Sequence, residues 1–97
     1  MKKELVKFNE KILTEEALTA STPKKGIELC KKLIDNDPKN PHHYFLMANY
    51  YRNINNYKKA LEVYNQCNNL LTKKYNNTTI KKYTLEFINL CNKKLKK

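Results

Sequence analysis

The sequence contains very few of the residues that interrupt helices: one glycine and three prolines among 97 residues. No short alternating runs flank Asn-Gly or Asp-Gly turns, so the pattern does not predict β-hairpins. The longest wholly apolar run, residues 44–48, is far too short to span a membrane. Since long segments without glycine or proline favour helices, we predict an all-α chain.

Cysteine is scarce as well. Cys30, Cys67 and Cys91 lie far apart, and an odd number without paired spacing predicts neither a disulfide framework nor a zinc site. We interpret them as reduced, small apolar residues, which indicates a cytoplasmic protein and leaves the nucleus open. The N-terminus carries charges throughout and has no apolar core, so it does not resemble a secretory signal.

The net charge of +11 is concentrated near the C-terminus. Residues 73–97 contain eight lysines against a single acid, Glu86. Residues 1–72 contain twelve basic and eight acidic residues, a net charge of +4. The chain is therefore a basic protein whose excess charge lies mainly in residues 73–97.

Apolar residues recur at three- and four-residue steps, as in amphipathic helices. Thr22 and Asn40 are expected N-caps, each followed by a proline at the first helical position. Asn55 and Asn56 favour a tight turn, because asparagine tolerates left-handed backbone angles. Within a single domain over residues 1–97, we expect five helices at about 3–19, 23–34, 41–53, 56–72 and 78–95.

Large and small residues alternate between Asn40 and Tyr64 in a way that suits two closely packed helices. Ala48 and Ala60 are the predicted small residues at the contact, where they let the backbones approach. The large residues expected to fill the space around them are Tyr44, Tyr51, Tyr57 and Tyr64.

This spacing resembles the tetratricopeptide repeat, a 34-residue helix–turn–helix written W-x2-L-G-x2-Y, then A-x3-F, then P. Residues 41–74 form one clear repeat, although Thr72 stands at the terminal proline position. Its other signature positions are occupied by Tyr44, Met47, Ala48, Tyr51, Ala60 and Tyr64. A partial repeat precedes it, with Gly26, Cys30, Leu33 and Pro38 at matching positions. The resemblance implies a right-handed stack of antiparallel helix pairs whose last helix caps the open end.

Nothing in the sequence predicts an enzyme. It contains no glycine-rich phosphate loop, no HExxH and no nucleophile elbow. His42 and His43 are adjacent, so on a helix their side chains diverge by about 100° and cannot both bind one metal. We predict no catalytic residues, no metal site and no cofactor.

The resemblance implies instead a protein-interaction module, an adaptor or scaffold that binds a peptide or protein segment in a concave groove, within a larger complex. Variable positions on the first helix of each repeat usually meet the ligand in this family. By resemblance these are His42, Phe45, Asn49, Arg52 and Asn53, with Lys81 and Leu85 from the last helix. Basic residues favour an acidic partner, and so short an array leaves self-association open.

One predicted contact residue has an alternative role, and one known site of the family is not expected here. Phe45 lies off the tyrosine face, so it either meets a partner or packs against the first or the fifth predicted helix. The carboxylate clamp of some family members is not predicted, because Glu15 and Phe45 occupy two of its positions.

The alternative function is binding of nucleic acid, such as RNA, or of another acidic surface through the lysine-rich last helix, with salt-dependent affinity. Adjacent lysines lie about 100° apart on a helix and so flank its apolar stripe. Tyr83 and Phe87 are expected in the core, which leaves few aromatic platforms for bases. The candidate contacts are Lys73, Lys74, Lys81, Lys82, Lys93 and Lys94.

Overall fold

The computed structural model describes residues 22–71 and 78–96 of the chain. Within these two ranges every regular element is an α-helix, which confirms the predicted all-α class. The helices are α1 (Pro23–Asn36), α2 (Pro41–Asn53), α3 (Tyr57–Leu70) and α4 (Thr78–Leu95). The helix predicted over residues 3–19 lies outside the described residues, as do Lys73 and Lys74.

The helix starts follow from local side-chain chemistry. Oγ1 of Thr22 accepts a hydrogen bond from the backbone N–H of Lys25 at 3.2 Å, and Oδ1 of Asn40 accepts one from His42 at 3.0 Å. A proline follows each cap at the first helical position, where a backbone donor would lack a partner in any case. α2 spans the residues expected for it, and α1 continues two residues past the expected end at Ile34.

A three-residue link, 54–56, joins α2 to α3. Asn55 has a left-handed φ of 62°, as its position in the predicted turn requires. Asn56 caps α3 by accepting a hydrogen bond from the N–H of Lys59 at 3.3 Å, so the helix begins at Tyr57. So short a link reverses the chain and brings the two helices side by side.

Each helix packs on the next one in the chain, and α2 also contacts α4. The pairs are antiparallel. In α3 and α4, for example, Tyr64 meets Phe87 whereas Cys67 meets Thr84. A stack of antiparallel helix pairs is the fold that the sequence predicts.

Small side chains lie where the helices approach most closely. Ala48 and Ala60 are both fully buried, and so is Tyr64 from the predicted tyrosine set. Tyr44, Tyr51 and Tyr57 are half-buried around them. Large rings beside small residues are the arrangement that close packing between helices requires.

The face that α4 buries differs from the predicted one. Tyr83, expected in the core, is 43% exposed, because the side that α4 buries carries Ile80, Thr84 and Cys91. Leu95, the last residue of α4, is also exposed, by 47%. Thr84 is a polar residue in this contact, and its Oγ1 lies 3.6 Å from Sγ of Cys67, which satisfies the hydroxyl within the core.

Candidate interaction surface between α2 and α4

Five of the predicted contact residues share one side of α2. At about 100° per residue, they fall within about 100° of the helix circumference. His42 and Asn53 are exposed near the two ends of the helix. Between them, Phe45, Asn49 and Arg52 are half-buried. The structure therefore brings these five residues to one side of α2, with the middle three partly covered.

α4 provides that cover through Phe87. The ring of Phe45 lies 6.0 Å from that of Tyr64, edge to face, and 6.1 Å from that of Phe87. Tyr64 and Phe87 are 5.5 Å apart, so the three rings form one cluster. Such distances are typical of stabilising aromatic pairs. Packing on the fifth predicted helix is thus a role of Phe45, and part of its surface remains exposed.

Arg52 is held by the same cluster. Its Cζ lies 4.1 Å from the centroid of the Phe87 ring, a cation–π contact. Its Nε donates a hydrogen bond to Oη of Tyr64 at 3.2 Å. Oη of Tyr64 in turn donates to Oδ1 of Asn49. Residues of three helices thus orient one guanidinium group.

The Tyr64 hydroxyl keeps its proton at neutral pH. Burial raises the pKa of Tyr64 to about 12, although the hydrogen bond and the charge of Arg52 act in the opposite direction. A protonated hydroxyl accepts from Arg52 and donates to Asn49 at the same time. Within the described ranges, no carboxylate forms an ion pair with Arg52.

Tyr83 extends this surface along α4. Its ring stacks on Phe87 at 6.2 Å with 23° between the planes, and much of it is exposed. Tyr83 was not among the predicted contact residues, because both aromatic residues of α4 were expected in the core. Tyr83 and Phe87 are four residues apart, and residues with this spacing are neighbours on the surface of a helix. We use the name α2/α4 edge for Phe45, Asn49, Arg52, Tyr83 and Phe87.

Residues 29–62 match a family model described as tetratricopeptide repeat. This segment is thus similar to a tetratricopeptide repeat, as the spacing of the signature residues predicts. The match runs from the second half of α1 through all of α2 into α3, and so it joins the predicted partial repeat to the predicted clear one. No curated protein and no solved structure gives a significant match. Tetratricopeptide repeats are generally protein-interaction modules that bind partners on extended surfaces.

Two predicted contact residues lie apart from the α2/α4 edge. Lys81 and Leu85 are exposed on α4, Leu85 by 44%. Leu85 precedes Phe87 by two residues, and two residues correspond to about 200° around a helix. Because Phe87 points at Arg52, Leu85 projects from the opposite side of α4. The structure does not bring these two residues together with Arg52.

The lysines of α4 are exposed but dispersed. Lys82 and Lys93 lie on one side of the helix, and Glu86 lies between them. Lys81 and Lys94 point in other directions, so these four lysines form no continuous cationic stripe. A phosphate backbone would meet scattered contacts on this helix, which does not favour the nucleic-acid alternative.

The described residues also form a shallow depression away from the α2/α4 edge. Its volume is about 220 Å³, below the roughly 300–1,000 Å³ of typical small-molecule pockets. Oη of Tyr44 donates a hydrogen bond to the carbonyl of Pro38 at 2.8 Å beside it. None of the α2/α4 edge residues is among its lining residues, which are Pro38, Tyr44, Gln66, Asn69 and Leu70.

The two adjacent histidines diverge as helical geometry requires. His42 is exposed, whereas His43 is only 3% exposed. Partial desolvation, with a smaller effect of His43, lowers the pKa of His42, so its imidazole is mostly neutral at physiological pH. In residues 22–71 and 78–96 no group of His, Cys, Asp and Glu side chains is arranged to hold a metal ion. In the same ranges no helix is long and apolar enough to cross a membrane.

Proposed function

We propose that this chain is a non-enzymatic adaptor that binds a peptide or protein segment of a partner along the α2/α4 edge. The observation that carries the proposal is the grouping of Arg52, Asn49 and the exposed ring of Tyr83 on one surface. Arginine and tyrosine are enriched among the residues that dominate binding energy in protein interfaces. The family match supports the same class of function, because tetratricopeptide repeats generally bind proteins.

Both apolar and polar contacts would contribute to the binding energy. The exposed parts of Phe45, Tyr83 and Phe87 offer an apolar anchor. Asn49 and Arg52, with Asn53 and His42 at the margins, offer hydrogen bonds. Because packing already restrains Phe45 and Arg52, little side-chain entropy remains to be lost on binding. The net charge of +11 favours an acidic partner through long-range attraction.

A reducing compartment such as the cytoplasm suits this function. Cys30, Cys67 and Cys91 are free thiols, all buried among helices. Free buried thiols are usual in intracellular proteins, whereas secreted domains of this size commonly depend on disulfides.

The test of this proposal is selection of a random peptide library displayed on phage against the immobilised chain. The affinities of recovered peptides are then measured by fluorescence anisotropy for wild type, Phe45→Ala and Leu61→Ala. Leu61 is the matched control, since it is also a half-buried member of the core but lies on α3. We expect Phe45→Ala to weaken binding by roughly tenfold or more, as for an interface anchor, and Leu61→Ala to leave it within about twofold.

A second pair of variants tests the polar part of the surface. Arg52→Glu should weaken the same peptides strongly, whereas Lys58→Glu, an equal change of charge at an exposed position on α3, should have a small effect. Circular dichroism establishes that all variants are still helical at the temperature of the assay. Peptides that bind wild type, Phe45→Ala and Arg52→Glu equally well would remove the α2/α4 edge as the binding surface.

A further inference from the structure

Most of the hydrogen-bonding capacity of Arg52 is unused in the described structure. A guanidinium group has five N–H donors. The Nε donor is engaged by Tyr64 at 3.2 Å, and Cζ lies 4.1 Å from the centroid of the Phe87 ring. In the part of the chain that the structure describes, the terminal nitrogens of Arg52 have neither a hydrogen-bond acceptor nor a carboxylate partner.

These contacts also determine the direction in which the group can bind. With Nε bonded to Tyr64 and Cζ held over the Phe87 ring, the edge formed by the two terminal nitrogens is the part of the guanidinium group left for a further acceptor. That edge matches a planar group with two oxygen atoms, which it can bind through two parallel hydrogen bonds. Since Arg52 is half-buried, part of its hydration is already lost, and an incoming anion interacts with it more strongly than with a fully exposed lysine.

Asn49 adds a second donor beside Arg52. Oη of Tyr64 accepts from Arg52, so its own proton is directed to Oδ1 of Asn49. This bond orients the amide and leaves the Nδ2 group of Asn49 as its free end. An amide N–H₂ that is linked to the guanidinium group through Tyr64 adds a second donor for an acceptor-only ligand such as a carboxylate.

We propose that Arg52, assisted by Asn49, binds the carboxylate of an aspartate or glutamate in the partner segment, next to an apolar residue that packs on Phe45 and Tyr83. The inference rests on the proposed function and adds the chemistry of the ligand. In this proposal one half-buried residue of α2, Arg52, recognises the acidic group. The exposed lysines of α4 contribute only to the general attraction.

The test uses the peptides that wild-type protein recovers from the random library. Recovered sequences should be enriched in Asp or Glu adjacent to an aromatic or aliphatic residue, and a parallel selection on Arg52→Gln should lose the acidic preference. Each recovered peptide is then made in three forms, with the acid, with its amide (Asn or Gln), and with phosphoserine at that position. Wild type should prefer the acid over the amide by roughly 10- to 100-fold, the range of a hydrogen bond to a charged group.

The decisive quantity is how this preference changes in the variants. In Arg52→Gln the acid and the amide should bind within about twofold of each other, and Arg52→Lys should keep only part of the preference. Arg52→Lys also serves if Arg52→Gln does not fold, because it retains the charge but not the planar edge. A purely structural role for Arg52 would lower the melting temperature and affect acid and amide peptides equally.

The possible failures are distinguishable. An acid-to-amide preference that persists in Arg52→Gln and in Arg52→Lys would overturn the inference and leave the proposed function standing. Tighter binding of phosphoserine than of the acid would overturn the assignment to a carboxylate. If the wild-type protein recovers no peptide at all, the proposed function fails and the inference fails with it.

Discussion

The ring of Tyr50 in α2 lies directly over Gly26 in α1. A Cβ atom added to Gly26 would come within 2.6 Å of Cε1 and Cε2 of that ring, closer than real carbon atoms approach. Glycine lowers the stability of a helix interior by about 1 kcal/mol relative to alanine. Its presence in α1 is therefore explained by packing, because a residue without a side chain leaves room for the ring of Tyr50 at this position.

Gly26→Ala should destabilise the fold by roughly 1–3 kcal/mol, the usual result of inserting a methyl group into a filled contact. The matched background is Tyr50→Leu, in which the ring is absent and the same change should be neutral or stabilise by up to about 1 kcal/mol. Urea unfolding followed by circular dichroism measures both. A stabilising Gly26→Ala in the wild-type background would show that Tyr50 does not contact this position.

Ala60→Leu should destabilise the α2–α3 pair by roughly 1–3 kcal/mol, because the side chain of Ala60 is fully buried and the added atoms have no space. Asn65→Leu is the control on the same helix, since Asn65 is exposed and asparagine has the lower helix propensity. Thermal unfolding compares the two variants. Equal melting temperatures for Ala60→Leu and wild type would mean that Ala60 lies outside the helix contact.

Stability should decrease in alkaline solution. Burial raises the pKa of Tyr64 from 10.0 to about 12, and the pKa values of Tyr44 and Tyr50 are raised for the same reason. Unfolding restores the ordinary pKa values, so above about pH 10 it releases protons and the free energy of unfolding falls up to about pH 12. Below about pH 10 this contribution is fully present. Urea unfolding across this range measures the slope, and Tyr64→Phe should reduce it; equal slopes would contradict the burial of Tyr64.

The cysteines should resist modification in the folded protein. Burial raises the pKa of Cys30 from 9.0 to about 12 and also raises the pKa values of Cys67 and Cys91. Because the thiolate is the reactive form, a thiol reagent at about pH 8 should modify all three cysteines quickly in guanidinium chloride and slowly in buffer. Fast reaction in buffer at any one of them would show that its helix contact opens readily.

Several features of the fold were predictable because they depend on neighbouring residues. Thr22 and Asn40 cap helices through their own side chains, and Asn55 takes up the left-handed turn angle. Ala48 and Ala60 were identifiable by their spacing from the tyrosines, since a repeat fixes which positions face each other.

Features that depend on how far α4 rotates about its own axis were not predictable. An apolar stripe indicates which side of a helix is buried, but it does not say which edge of the stripe meets which neighbour. In the structure Tyr83 is therefore exposed and Thr84 is buried in the core. The ring of Phe87 lies against Arg52, a contact that the stripe does not specify. Residues Phe45, Asn49 and Arg52 were predicted as partner contacts, but their attachment to Tyr64 and Phe87 required the structure.

The most direct test of the central claim is an amide chemical-shift map of the ¹⁵N-labelled protein with a peptide recovered from the library. The account predicts that the perturbed amides concentrate on α2 around Phe45, Asn49 and Arg52, and on α4 around Tyr83 and Phe87. Perturbations concentrated instead on the exposed side of α3, around Lys58, Glu62 and Asn65, would contradict binding at the α2/α4 edge.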